Sequence, residues 1–258
     1  MRKIIFFVAC ILCFLPFLSS RVYAISDKPL GFYCVRNKEH KQPRLDTELS
    51  FIETYDAYYV DKAHGDSSEE KVIYLTFDAG YENGNIEKIL DVMKEEDVKG
   101  AFFILENLIN KEPELVIRMA NEGHTVANHT SKHKDMTKID DINSFNAELE
   151  SLNILYEKTT GKKMSRFYRP PEGKFDERSL SFAQELGYKT IFWSFAYADW
   201  DNNKQPTSAE AMKKIMDNIH NGEIMLLHPT SATNANILRD VIRELKAQGY
   251  RFGELSEL

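Results

Sequence analysis

From residue 71 onward the chain alternates between two periodicities, and this alternation restricts its fold more than any other feature. Residues 71–77 (KVIYLTF) are apolar and β-branched with no helical period, the pattern of a buried strand. Residues 85–97 follow with Ile86, Ile89, Leu90 and Met93 on one helical face. The pair then recurs: GAFFIL at 100–105 precedes a helix opened by Pro113 that carries Leu115, Val116 and Met119. A short strand at 124–128 leads to a long helix over 141–158, with Phe145, Leu149, Leu152 and Tyr156 on one side. Strand candidates at 165–168 and 188–195 flank a helix ending near Gly187. Thr207 and Glu210 form a capping box for a helix running to about Asn221. A strand at 223–227, a helix at 236–248 and a last strand at 250–252 complete the chain. Strands joined by single-helix crossovers require a mostly parallel sheet. The expected fold is therefore α/β, an irregular (β/α) barrel of about seven strands.

The preceding residues do not share this pattern. Arg2 and Lys3, the apolar run at 4–18 and the small residues around Ala24 read as a signal peptide over residues 1–24. A cleaved signal makes the protein secreted, and an uncleaved one would anchor it; the apolar run is short for a full span. Either way the rest of the chain lies outside the cytoplasm. Residues 25–70 are polar and irregular, apart from a possible short strand at 57–60, and read as an N-terminal extension packed on the main domain at 71–258.

The formal net charge of -7 becomes more negative still once Arg2, Lys3 and Arg21 are removed with the signal. With no basic stripe, the sequence argues against a nucleic-acid partner. Cys10 and Cys13 fall within the signal, so the mature chain holds Cys34 alone and no internal disulfide. Cys34 reads as an idle or buried thiol.

Polar residues sit where the apolar strands end: Asp78, His129, Arg169, Asp199 and His228. In parallel β/α barrels that rim is where active sites are built. His129 and His133 have the i, i+4 spacing that puts two imidazoles on one face of a helical turn, able to share a metal. Asp78 is placed as a carboxylate base near such a metal. Arg169, stiffened by Pro170 and Pro171, suits a fixed ion pair. His228 and Asp199 make an acid and its orienting carboxylate. His64, in a polar loop, and His124, heading a strand, read as structural. His220 reads as a helix-end histidine whose charge would favour the dipole.

In their order, TFDAG, HTSKH, RPPEG, ADW and LLH resemble the five motifs of the NodB-type polysaccharide deacetylases, carbohydrate esterase family 4. The resemblance spans about residues 71–255, and YLTFDAGYENG, RPPEG and FWSFAYADW are most similar to the branch that deacetylates peptidoglycan N-acetylmuramic acid in δ-lactam formation in spore cortex. It implies a hydrolase acting on a peptidoglycan glycan strand, with a divalent metal such as zinc. Asp78 matches the base that deprotonates a metal-bound water, and His129 and His133 match the metal histidines. Arg169 matches the tether of the base, and the backbone N–H of Glu172 the oxyanion donor. His228 matches the general acid held by Asp199, while Trp200 and Leu226 match the apolar walls around the acetyl methyl. Ala79 replaces a metal-binding aspartate common in the family, so a weakly held ion is expected. Ala196 and Glu172 are further departures, and the second leaves a backbone donor intact. The alternatives are an N-acetylglucosamine deacetylase on peptidoglycan or chitin-like chains, and a non-catalytic glycan-binding relative.

Overall fold

The computed structural model describes residues 25–258; residues 1–24, read above as a signal peptide and holding Cys10 and Cys13, lie outside the described residues. The N-terminal part contributes β1 (Leu30–Gly31), a 3-10 helix at Thr47–Tyr55 and β2 (Ala57–Tyr58). The alternating part then runs through β3 (Lys71–Ala79), α1 (Ile86–Glu95), β4 (Ala101–Ile104), α2 (Glu106–Lys111), α3 (Pro113–Asn121) and β5 (Thr125–Asn128). It continues through α4 (Ile142–Thr160), β6 (Phe167–Tyr168), β7 (Lys174–Phe175), α5 (Glu177–Glu185) and β8 (Lys189–Ile191). The last elements are α6 (Ser208–Met216), β9 (Glu223–Leu227), α7 (Ala232–Ala247) and β10 (Tyr250–Phe252).

Eight strands form one sheet in the order β10-β3-β4-β5-β6-β8-β2, with β9 also on β3, and every one of these pairings is parallel. Beyond β8 the backbone reaches back to β9, where Phe195 bridges Met225 and the Leu226 N–H donates to the Phe195 carbonyl at 2.8 Å. The sheet thus curls round on itself, as expected of an irregular (β/α) barrel.

Period-two alternation on β3 explains what lies on each side. Ile73, Leu75 and Phe77 join one apolar cluster with residues of α1, α3 and α7. Val72 and Tyr74 join another with Phe103, Ala127, Ile191 and Ile224, one or two residues from each of four other strands. That second cluster is the interior of the curl. Thr76 and Asp78 continue its parity, so two polar side chains succeed the apolar ones towards the C-terminal end.

The N-terminal part is bound into this body. β2 pairs with β8, β1 pairs with β7, and Phe32 stacks on Phe192 with ring centroids 4.2 Å apart. Asp61 accepts from the Tyr74 hydroxyl at 2.6 Å and pairs with His64, whose pKa this contact raises. Burial pushes the Cys34 thiol up to about 11, so it stays protonated and unreactive.

Several boundaries differ from the sequence reading. α2 was not anticipated, and α7 begins at Ala232 because Ser231 caps it, accepting from the Asn234 N–H at 3.1 Å. α6 keeps its Thr207–Glu210 capping box but ends at Met216, well before Asn221. Beyond it His220 turns into the core, its Nε2 2.8 Å from Ser194 Oγ. His220 is therefore not a helix-end charge: burial pushes its pKa down to about 4, so the ring is neutral. Among the described residues no helix is long and apolar enough to cross a membrane.

Candidate active site

Five parallel strands, or the segments directly after them, deliver Asp78, His129, Arg169, Asp199 and His228 to one end of the curled sheet. Arg169 is fully buried, and its fork is engaged on every side. Nη1 donates to Asp78 Oδ1 at 2.8 Å, Nη2 to Thr76 Oγ1 at 3.0 Å and the Phe192 carbonyl at 3.1 Å, and Nε to the Ile191 carbonyl at 2.9 Å. The guanidinium also lies over the Phe103 ring, 4.1 Å from its centroid. A side chain held at so many points positions its partner rigidly. Pro170 and Pro171 follow it, and Gly173 takes φ +63° where a Cβ would come within 2.7 Å of Trp193.

Burial alone would raise the Asp78 pKa, but Arg169 and then His129 and His228 outweigh it and hold the carboxyl below its usual range. Asp78 Oδ2 lies 3.6 Å from His129 Nε2. On the other side of that ring, Nδ1–H donates to the Arg169 carbonyl at 2.8 Å, because a carbonyl can only accept. This fixes the tautomer and leaves the Nε2 lone pair facing the cleft. Burial pushes the His129 pKa down to about 4 despite Asp78, so the lone pair stays available.

His133 packs its ring 5.0 Å from that of His129 at 72°. The two do not share a helical turn, as their spacing had implied. Thr130 and His133 both take positive φ, +70° and +55°, and the segment is an irregular loop. The imidazoles meet because the loop folds back on itself.

Across the cleft, Asp199 is fully buried and its carboxylate accepts three hydrogen bonds. His228 Nδ1 donates to Oδ1 at 2.7 Å, and Oδ2 accepts from the His228 N–H at 2.8 Å and from Asn234 Nδ2 at 2.6 Å. Burial works against the charged form of His228, but Asp199 and then Asp78 prevail and raise its pKa above the ordinary value. The protonated ring therefore persists to higher pH than a free histidine. Asp199→Asn removes the largest raising influence, so the alkaline limb of the kcat/KM profile is expected to move to lower pH. A pH–rate profile with that limb unmoved would remove His228 as the titrating acid.

A cleft of about 210 Å³ separates the two sides, lined by Asp78, His129, His133, His228, Glu172 and Trp200. Trp200 is 60% exposed, its ring 6.0 Å from that of His228. Glu172 has φ +57°, and its side chain pairs with Lys174 at the surface. Leu226 does not line the cleft, contrary to its expected place as a wall. It is buried on β9, two residues before His228. Sequence reasoning missed Tyr81, Leu105 and Thr230 on the lining, and Thr76 and Asn234 behind it. Thr76 was detectable as the polar residue two positions before Asp78 on an apolar strand. Asn234 carried no signal, because Ser231-Ala232-Thr233-Asn234 reads as a polar loop.

The donors present fit a divalent ion only in part. His129 lies beside Asp78 and against the His133 ring, but among the described residues no three His, Cys, Asp or Glu side chains form a metal-holding group. Ala79 is fully buried in the apolar cluster behind β3 and offers no donor. Ligands for a fuller shell would have to come from water or substrate. His129→Ala should weaken zinc binding by more than the roughly 10–100-fold that loss of a supporting hydrogen bond costs. Equal affinity of both proteins in a calorimetric titration would show that the histidines are not the site.

A family model for polysaccharide deacetylases matches residues 65–191. The chain is 38% identical to the peptidoglycan-N-acetylmuramic acid deacetylase PdaA of Bacillus subtilis over 252 residues, 97% of this chain and 94% of PdaA. The solved structure of PdaA, a family 4 carbohydrate esterase, matches with a TM-score of 0.84 at 39% identity, covering 91% of this chain and 98% of that one. A family 4 carbohydrate esterase from Bacillus anthracis matches with a TM-score of 0.74 at 34% identity, covering 92% and 98%. A peptidoglycan-N-acetylglucosamine deacetylase of Bacillus cereus is 31% identical over 216 residues, 82% of this chain and 75% of its own length. With likeness of sequence and fold extending over nearly its whole length, the chain belongs to the polysaccharide deacetylases of carbohydrate esterase family 4.

Proposed function

We propose that this enzyme hydrolyses the acetamide of N-acetylmuramic acid residues lacking peptide in peptidoglycan, outside the cytoplasm, as a step in making the δ-lactam of spore cortex. The observation that carries the reaction is the opposition of two tuned groups across one narrow cleft. On one side Asp78 is held ionised by Arg169; on the other Asp199 favours the protonated form of His228. Amide hydrolysis needs both, a base for the attacking water and an acid for the leaving amine.

Asp78 takes the proton of a water that attacks the acetamide carbonyl. The negative charge gathering on the carbonyl oxygen calls for donors on the cleft wall, and the backbone N–H of Glu172 is assigned that role. As the C–N bond breaks, His228 delivers its proton to the sugar nitrogen, giving a free amine and acetate. Arg169 keeps Asp78 aimed throughout, and Asp199 keeps the His228 Nε2 free to face the substrate. Trp200 offers a flat apolar wall to the substrate. A divalent ion on His129 and His133 would supply Lewis-acid polarisation and make water easier to deprotonate.

The muramic acid assignment is supported by the likeness to PdaA over nearly the full chain. Likeness to the Bacillus cereus relative favours N-acetylglucosamine as the second reading. Mass spectrometry of peptidoglycan fragments after incubation decides between them. Loss of acetyl from muramic acid in peptide-free stretches is expected; loss from glucosamine alone would replace the first reading with the second.

A further inference from the structure

Trp200 has two sides. One borders the catalytic cleft, and the other borders a second, larger groove of about 530 Å³. Its other borders include Asp201, Lys204, Gln205, Glu210 and Lys214. The loop at its edge is stapled before any ligand arrives. Gln205 Nε2 donates to the carbonyls of Asp199 and Asp201, both at 2.8 Å, and Gln205 Oε1 accepts from Ser231 Oγ. The same glutamine thus ties the groove to the aspartate that holds His228.

The groove carries two carboxylates and two ammonium groups, and the carboxylates have hydrogen-bond donors of their own. Asp201 already accepts from the Asn203 N–H at 2.9 Å, and Glu210 from the Thr207 N–H and hydroxyl, both at 2.9 Å. Neither Lys204 nor Lys214 has a salt bridge among the described residues, although Lys214 lies one turn after Glu210 on α6 and adds to the field that keeps that carboxyl charged; its ammonium also lies over the Tyr197 ring, 5.8 Å from its centroid. Two ammonium groups without a close ion-pair partner line the same groove as an exposed indole, on a chain of net charge -7. An indole and flanking cations suit a sugar ring that carries an anion.

We infer that the groove beyond Trp200 is a second subsite, in which Lys204 and Lys214 bind a carboxylate carried by the glycan strand while the acetamide occupies the catalytic cleft. This deepens the proposed function and rests on its glycan substrate. Two carboxylates on peptidoglycan have this chemistry, the lactyl group of a peptide-free muramic acid and the terminus of a peptide stem.

The test compares kcat and KM of the wild-type protein and Lys204→Ala/Lys214→Ala on three peptidoglycan fragments. One has free lactyl carboxylates, one has them methyl-esterified, and one bears peptide stems. Wild type should show a KM about tenfold lower on the free acid than on the ester, the worth of one charge-assisted contact. The double variant should lose that ratio, with kcat little changed on the free acid. A KM on the stem-bearing fragment as low as on the free acid, also lost in the variant, would place a stem carboxylate in the groove and still support it. A wild-type ratio near one on both carboxylate-bearing fragments, or a ratio the variant retains, overturns the inference. Which sugar loses its acetyl group, read by mass on the wild-type products alone, judges the proposed function separately.

Discussion

Asp78→Asn should lower acetate release at least about a hundredfold, the usual minimum for loss of a general base, while the protein stays folded and still binds glycan. The amide is nearly isosteric, and its oxygen can still accept from Arg169 Nη1, where the carboxylate accepts at 2.8 Å. The other three hydrogen bonds of Arg169 go to Thr76 and to two carbonyls, none of which the substitution touches. Turnover and thermal unfolding measured on one preparation separate chemistry from folding. Near-wild-type acetate release would remove Asp78 as the base.

Arg169→Met should have the largest effect on stability, about 3–5 kcal/mol, the cost of breaking a buried pair by removing one partner. The substitution leaves Asp78 buried without its counter-charge and strips the Ile191 and Phe192 carbonyls of their donors. Its pH dependence has a definite sign. In wild type the Asp78 pKa is held below the unfolded value, so its contribution is present above the unfolded carboxylate range and is lost as pH falls through the folded pKa. Without Arg169 the largest lowering influence is gone and burial pushes the pKa upward. The deficit of the variant should therefore be greatest at neutral pH and shrink on acidification. Urea unfolding at pH 5 and pH 8 measures both expectations. A loss under about 1 kcal/mol at pH 8 would mean that the pair is not a strut of the fold.

The strand ends were legible because they obey a local rule. KVIYLTF and EIMLL are too apolar to lie anywhere but inside a sheet, and the polar residue after each falls at the C-terminal rim of a parallel barrel. Amphipathic helices such as α1 and α4 announced themselves by their period, with Asp141 capping α4 through the Ser144 N–H at 2.9 Å. Failures occurred where a tertiary contact overrode local pattern. His220 leaves the expected course of α6 for Ser194, and the His129–His133 loop is non-helical in spite of its spacing.

By itself the sequence determined the class of fold, the side chains available at the rim and, through its five ordered motifs, the family. Periodicity and residue type are properties of the chain alone, so no partner had to be known. Tertiary structure decided which of those side chains met, and in what state. Asp78 and Arg169 are 91 residues apart, yet their 2.8 Å contact holds the carboxyl below its usual range and fixes its position. Asp199 and His228 are 29 apart, and burial alone would lower the histidine pKa; their contact, with Asp78 across the cleft, raises it instead. Leu226 and Trp200 looked alike as apolar walls until packing covered one and exposed the other. Distance, burial and counter-charge arise only when the sheet curls round, so chemistry that depends on them cannot be read from residue order.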